Sequence, residues 1–200
     1  MQIFHAALLS LIASAAAGAA AAQQAPAYYA APAHPLAVRA APGGETIGAL
    51  APGAAPLETT ARDASGAWAR IGFGERDGWV AADALTPANV DPAPYADAPL
   101  GLVCAGVGPF WALRFTADGV ALEQMGESAT PLTPVAAATA QGAARWPLAL
   151  RLDTLIAVLR PQACSDGMSD RTDAWTLDLI APGEDALALR SGCCRLPVAP

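Results

Sequence analysis

Apolar and polar positions alternate with a period of two along much of this chain, and the alternating runs are interrupted by glycine and proline roughly every 8 to 12 residues. That rhythm predicts strands. In residues 68–73, Trp68, Arg70 and Gly72 fall on one face and Ala69, Ile71 and Phe73 on the other, so one face of this strand is only partly buried. Shorter apolar runs at residues 36–38, 46–50 and 57–60 precede it, the last the weakest, and Trp79-Val80 follows an Asp77-Gly78 turn. Further along, Trp111, Leu113 and Phe115 alternate up to Asp118-Gly119, a hairpin signal, and residues 120–125 return. Leu148, Leu150 and Leu152 form another alternating run. Trp175, Leu177 and Leu179 lead to a Pro182-Gly183 turn and a return through Leu187 and Leu189. Residues 153–159 fit either a strand or one helical face, and residues 135–144 read as an alanine-rich loop or short helix. The expected fold class is all-β, a small barrel followed by a β-hairpin-rich barrel or sandwich.

Composition divides the chain. Residues 6–17 are apolar and alanine-rich, and Ala20 and Ala22 precede Gln23 as small residues precede a signal-peptidase site, so residues 1–22 read as an export leader. Its first residues contain no Lys or Arg, which leaves an N-terminal inner-membrane anchor as the alternative. No other stretch is apolar enough to span a bilayer, so no membrane span is expected after cleavage. Residues 23–33 and 87–99 are proline-rich and are expected to be stiff, extended linkers around a first domain at 34–86, with a second at 100–200. The 54% of apolar letters are mostly alanine, so large core residues are scarcer than the figure implies. A net charge of -7 with eleven scattered arginines and no lysine argues against nucleic acid as a partner, because phosphate binding needs clustered cations.

All four cysteines, Cys104, Cys164, Cys193 and Cys194, lie in the second domain. A bridge between the neighbours Cys193 and Cys194 is disfavoured, since adjacent Cα atoms sit about 3.8 Å apart, below the usual disulfide separation. Two pairings remain. In a strand the two side chains point to opposite faces, so one reaches Cys104 and the other Cys164, with the choice open. Redox catalysis would want Cys-x-x-Cys, and zinc would want closely spaced pairs; neither spacing occurs, so no metal or cofactor is expected.

Other chemistry is sparse. Beyond the leader the only histidine is His34, placed ahead of the first strand, and no partnered nucleophile accompanies it. Glu123 with Glu127, and Asp166 with Asp170, imitate paired carboxylates but fit solvated or turn-forming roles. The acidic spacing at residues 164–170 also lacks the pattern of a calcium loop. No catalytic set is apparent. Trp68 and Trp79, with Arg70, are candidates for a peptide-binding groove, although core burial of at least one tryptophan competes with that role. Trp111, Trp146 and Trp175 are expected in a core.

The residues Leu36-x-Val38-Arg39-x-x-Pro42, Ile47-Gly48-x-Leu50-x-x-Gly53, Gly66-x-Trp68-x-x-Ile71 and Gly78-Trp79-Val80, closing at Leu85, resemble a bacterial SH3-type (SH3b) domain. Residues 100–196 in turn resemble an uncharacterised bacterial envelope family. The match is carried by Gly106-Val107-Gly108-Pro109-Phe110-Trp111, by Cys164-Ser165-Asp166-Gly167-Met168-Ser169-Asp170 and by Gly192-Cys193-Cys194. The family commonly has a polar or acidic residue before the proline, where this chain has Gly106-Val107-Gly108. The first resemblance implies an SH3-like barrel that binds peptidoglycan or a segment of an envelope protein; the second implies an envelope location but no activity. The expectation is a non-catalytic periplasmic or secreted binding protein, with a structural role in a periplasmic complex as the alternative and a hydrolase as the remote one.

Overall fold

The computed structural model describes residues 26–108, 110–143, 145–182 and 186–198. The expected leader, Pro109 and the Gly183 of the last turn lie outside the described residues. All regular structure described is β apart from one 3-10 turn at Ala82–Ala84, which agrees with the alternating pattern.

The N-terminal sheet contains β1 (Ala27–Ala30), β2 (Leu36–Arg39), β3 (Thr46–Leu50), β4 (Leu57–Arg62), β5 (Trp68–Phe73), β6 (Arg76–Ala81) and β7 (Thr86–Pro87), in the order β3-β2-β6-β5-β4-β1-β7. Alternation sets its inner face. Val38, Leu57, Ala69, Ile71 and Val80 are buried there, with Tyr29 and Phe73 packed against them. The turn into β5 is built locally: Asp63 accepts hydrogen bonds from the Ser65 and Trp68 amides, and Gly66 takes a positive φ of 75° that glycine adopts without strain.

The second sheet contains β8 (Val103–Gly106), β9 (Trp111–Phe115), β10 (Val120–Gln124), β11 (Thr130–Leu132), β12 (Pro134–Thr139), β13 (Leu148–Leu152), β14 (Ile156–Arg160), β15 (Trp175–Pro182) and β16 (Leu187–Arg195). Apart from β11 and β12, each strand pairs antiparallel with the next, and β16 returns to β8. Only Thr133 separates β11 from β12. Because β11 pairs with β10 and β12 with β13, this one bent segment joins the two edges and the sheet closes into an up-and-down barrel. Its interior is filled by Trp111, Leu113, Phe115, Leu150, Trp175 and Leu177 among others, as expected for a barrel of about eight strands.

Several expectations need correction. The described part of the stretch expected as a linker at 23–33 is not free, because β1 pairs with β4 on one side and β7 on the other. Neighbouring side chains of β1 point opposite ways, Tyr29 into the N-terminal core and Tyr28 onto the core of the barrel. Residues 87–99 are likewise packed: Ala93 and Ala98 are buried, and the Tyr95 hydroxyl donates to the Gly119 carbonyl at 2.6 Å. The alanine-rich segment forms β12 rather than a helix, because pairing with β13 satisfies its backbone. Residues 156–160 resolve as the strand β14. The weak run at 57–60 lies in β4, an interior strand between β5 and β1.

The open choice of cysteine pairing is settled as Cys104–Cys194 and Cys164–Cys193. Cys194 faces the barrel interior opposite Cys104, and Cys193 faces outward to the segment between β14 and β15. The closed loops span 90 and 29 residues. In the chain-entropy account they contribute on the order of 4 to 5 and 3 to 4 kcal/mol respectively. Disulfides of this kind place the protein in an oxidising, extracytoplasmic compartment. Among the described residues no helix is long and apolar enough to cross a membrane.

Candidate functional site

The outer face of the N-terminal sheet carries the residues singled out for a groove. Strand register places Arg39 beside Trp79 and Trp79 beside Arg70, a row across β2, β6 and β5, with Trp68 two positions from Arg70 on the same face. Neither tryptophan belongs to the core. Both are half-buried, which corrects the expectation that at least one closes the core. The Arg39 guanidinium lies 5.6 Å from the centre of the Trp68 ring, a cation–π arrangement. Arg70 is fixed from the other side: its Nε donates to Thr60 Oγ1 at 2.9 Å, and its Nη1 lies 3.5 Å from Asp77 Oδ2. The face therefore offers two indole surfaces and two oriented cations.

The C-terminal barrel reaches this face at the Gly72 and Asp77 end. Asp170 bridges to Arg76 in parallel register, with Asp77 N–H donating to the Asp170 carbonyl and Asp170 N–H to that of Glu75. Thr172 donates to Asp77 through both its amide and its hydroxyl, each at 2.8 Å. Arg171 lies over Gly72, where a Cβ would collide with the guanidinium, so this position accepts no larger residue without displacing Arg171. Arg171 Nε and Arg195 Nη1 then hold the buried carboxylate of Asp173 at 2.8 and 3.1 Å.

Behind this contact lies a buried acid that sequence reasoning missed. Glu58 of β4 points away from its own core and is 8% exposed. Its two oxygens accept from Trp175 Nε1 at 3.2 Å and from the Leu196 amide at 3.1 Å. Burial pushes its carboxyl from an ordinary 4.5 up to about 7, assisted by the charge of Asp173 and opposed by the two hydrogen bonds and Arg171. Tyr28 sits opposite Glu58 on β1; burial pushes its phenol up, and its hydroxyl has no hydrogen-bond partner among the described residues. Trp146 meets Trp175 edge-on at 4.7 Å beside them. Tyr28 and Glu58 thus cap one end of the barrel.

The motif string of the second domain folds into a turn. Asp166 Oδ1 accepts from the Met168 and Ser169 amides, both at 2.9 Å, and these bonds hold its carboxyl below the usual range. Gly167 supplies a φ of 70°, Met168 is exposed, and Asp170 is at the contact described above. Asp166 lines a depression of about 200 Å³ beside Cys164 and Cys193, whereas Arg171 lines a separate cleft of about 210 Å³ with Arg195. Asp166, Asp170 and Arg171 do not converge. Of the opening motif, Phe110 is exposed and Trp111 is buried against Gly106 and Gly192, whose lack of a side chain admits the indole. Glu123 takes the Arg114 guanidinium rather than facing Glu127, and His34 is exposed. Among the described residues no group of three potential metal ligands occurs. No family model, no curated protein and no solved structure matches this chain.

Proposed function

We propose that this protein is a non-catalytic component of a bacterial cell envelope, periplasmic or secreted. Its SH3b-like N-terminal unit binds a peptide of the cell wall or an extended protein segment across Arg39, Trp79, Arg70 and Trp68. The observation that carries this reading is that two tryptophans stand on an outward face between fixed arginines, while the core beneath contains no fully buried aromatic. Indoles present flat apolar surfaces against which an extended backbone packs, and guanidiniums receive carboxylates such as those of acidic peptides. Retention of the purified protein on isolated peptidoglycan sacculi, beside a retained positive control, tests it. Wild type is expected to sediment with sacculi, and Trp68→Ala with Trp79→Ala to reduce retention by about tenfold or more, as for loss of aromatic anchors. No retention of wild type sinks the wall-binding form.

A second reading, a structural role in a periplasmic protein complex, is favoured by the outer face of β14–β16. Leu187 and Leu189 are 72% and 66% exposed there, beside Ile156 and Ile180. Crosslinking in intact cells separates the two: a discrete heteromeric band supports the complex, and monomer recovered with the sacculus supports wall binding.

A further inference from the structure

The barrel has two unlike ends. One is capped by Tyr28 and Glu58 around Trp175. The other, six residues along β15 and so about 20 Å away, opens into a cavity of about 90 Å³ whose walls include Leu122, Leu155, Leu179 and Ala188. Into this apolar mouth points Arg190, which register places opposite Leu179 on the inward face of β16. Among the described strand residues of the barrel, it is the one charged side chain at an inward position. Placing a cation there opposes the packing that fills the rest of the interior.

Its surroundings are arranged around the cation without neutralising it. Arg70, Arg114, Arg160, Arg171 and Arg195 each lie against a carboxylate. Arg190, like the other arginines outside that set, has no carboxylate within ion-pair distance among the described residues, but it alone faces inward, where Nη1 donates to the Gln124 amide oxygen at 3.1 Å. Gln124 is turned to present that oxygen because its Nε2 donates to Glu127 at 2.9 Å. The remaining guanidinium donors are not buried and can be reached from outside the mouth.

We propose that this mouth binds a small apolar carboxylate, with the carboxylate on Arg190 and the hydrocarbon part between Leu155 and Leu179. A guanidinium matches a carboxylate through two parallel hydrogen bonds. A doubly charged phosphate would keep one charge uncompensated beside a single arginine in an apolar wall. The volume is about that of three water molecules, which suits a chain end of a few carbons. Two sources share this chemistry: a free short-chain carboxylic acid, and the C-terminal residue of a peptide with a small side chain. The site lies on the C-terminal barrel, not on the N-terminal sheet that carries the aromatic face, and stands or falls independently of that face.

Titration of the oxidised protein with sodium butyrate and with N-acetyl-alanine, followed by amide NMR shifts, tests the proposal, with butyramide and N-acetyl-alaninamide as uncharged counterparts. Saturable shifts centred on Leu155, Ala188 and Arg190 are expected with the carboxylates, and binding about tenfold or more weaker with the amides. Tighter binding of butyrate identifies a free acid as the ligand class, and tighter binding of N-acetyl-alanine a peptide terminus. Arg190→Gln is expected to weaken the carboxylates to the level of the amides, and Ala188→Leu to abolish binding by filling the mouth. Absence of saturable shifts with either carboxylate in the millimolar range, or equal binding of acid and amide by the wild type, overturns it whether or not the variants fold.

Discussion

The C-terminal barrel buries Trp111, Phe115, Trp146 and Trp175, whereas the N-terminal sheet closes over Leu36, Val38, Leu57, Ile71 and Val80 and leaves Trp68 and Trp79 on its outer face. The half richer in buried aromatic surface is also the half with both disulfides. Covalent bridging here does not compensate for a poor core. It answers a problem of connection: residues 161–174, between β14 and β15, contain no strand, and Cys164–Cys193 pins them to β16. Cys104–Cys194 fastens the seam where β16 meets β8. The smaller half, without bridges, leans on the larger through Tyr28, Glu58 and Asp77.

Removing the seam bridge by Cys104→Ala with Cys194→Ala is expected to cost the most, about 4 to 5 kcal/mol from chain entropy alone. Urea unfolding followed by near-ultraviolet circular dichroism measures it, and a loss below about 1 kcal/mol would show that strand pairing suffices. Trp175→Ala is expected to cost about 3 to 5 kcal/mol, against less than about 1 kcal/mol for Trp68→Ala on the outer face. Equal costs by the same assay would erase the contrast between the halves.

The junction contributes a pH dependence. The folded protein keeps the Glu58 proton to a higher pH than the unfolded chain does, with its carboxyl raised from 4.5 to about 7. The contribution of Glu58 to stability is therefore greatest below about pH 4.5, falls as pH rises toward 7, and remains reduced above that. The penalty is on the order of 3 kcal/mol, and Glu58→Gln is expected to flatten this part of the stability profile. An unchanged slope in the variant would assign the dependence to other groups. A smaller effect than that of Glu58, about 1 to 2 kcal/mol, is expected for Asp77→Ala, seen as faster hydrogen exchange at Asp170 and Thr172 with exchange at Leu177 unaltered.

The strands with regular alternation were legible from the chain, because one buried face leaves a period-two signature. Trp68–Phe73, the Asp118-Gly119 hairpin, Leu148–Leu152 and Trp175 onward all appear where the pattern places them. The opposite faces of Cys193 and Cys194 follow from the same geometry. Leu187 and Leu189 do not, since they alternate correctly but face outward. β1 was hidden by composition: proline around it suggests a linker, yet Ala27–Ala30 contains none and keeps every amide donor. Glu58 was hidden by distance. Its partners Trp175 and Leu196 lie 117 and 138 residues away, and no local pattern encodes a contact so remote.

The adjacent cysteines of β16 also make covalent maturation wait for a single strand. Cys104 and Cys164 each have their partner there, so neither native bridge can form before β16 has been synthesised and exported. A chain truncated ahead of it presents two thiols with no correct mate, one belonging inside the barrel and one outside. Oxidation state thereby reports completeness, and a thiol-reactive label distinguishes finished molecules from aborted ones.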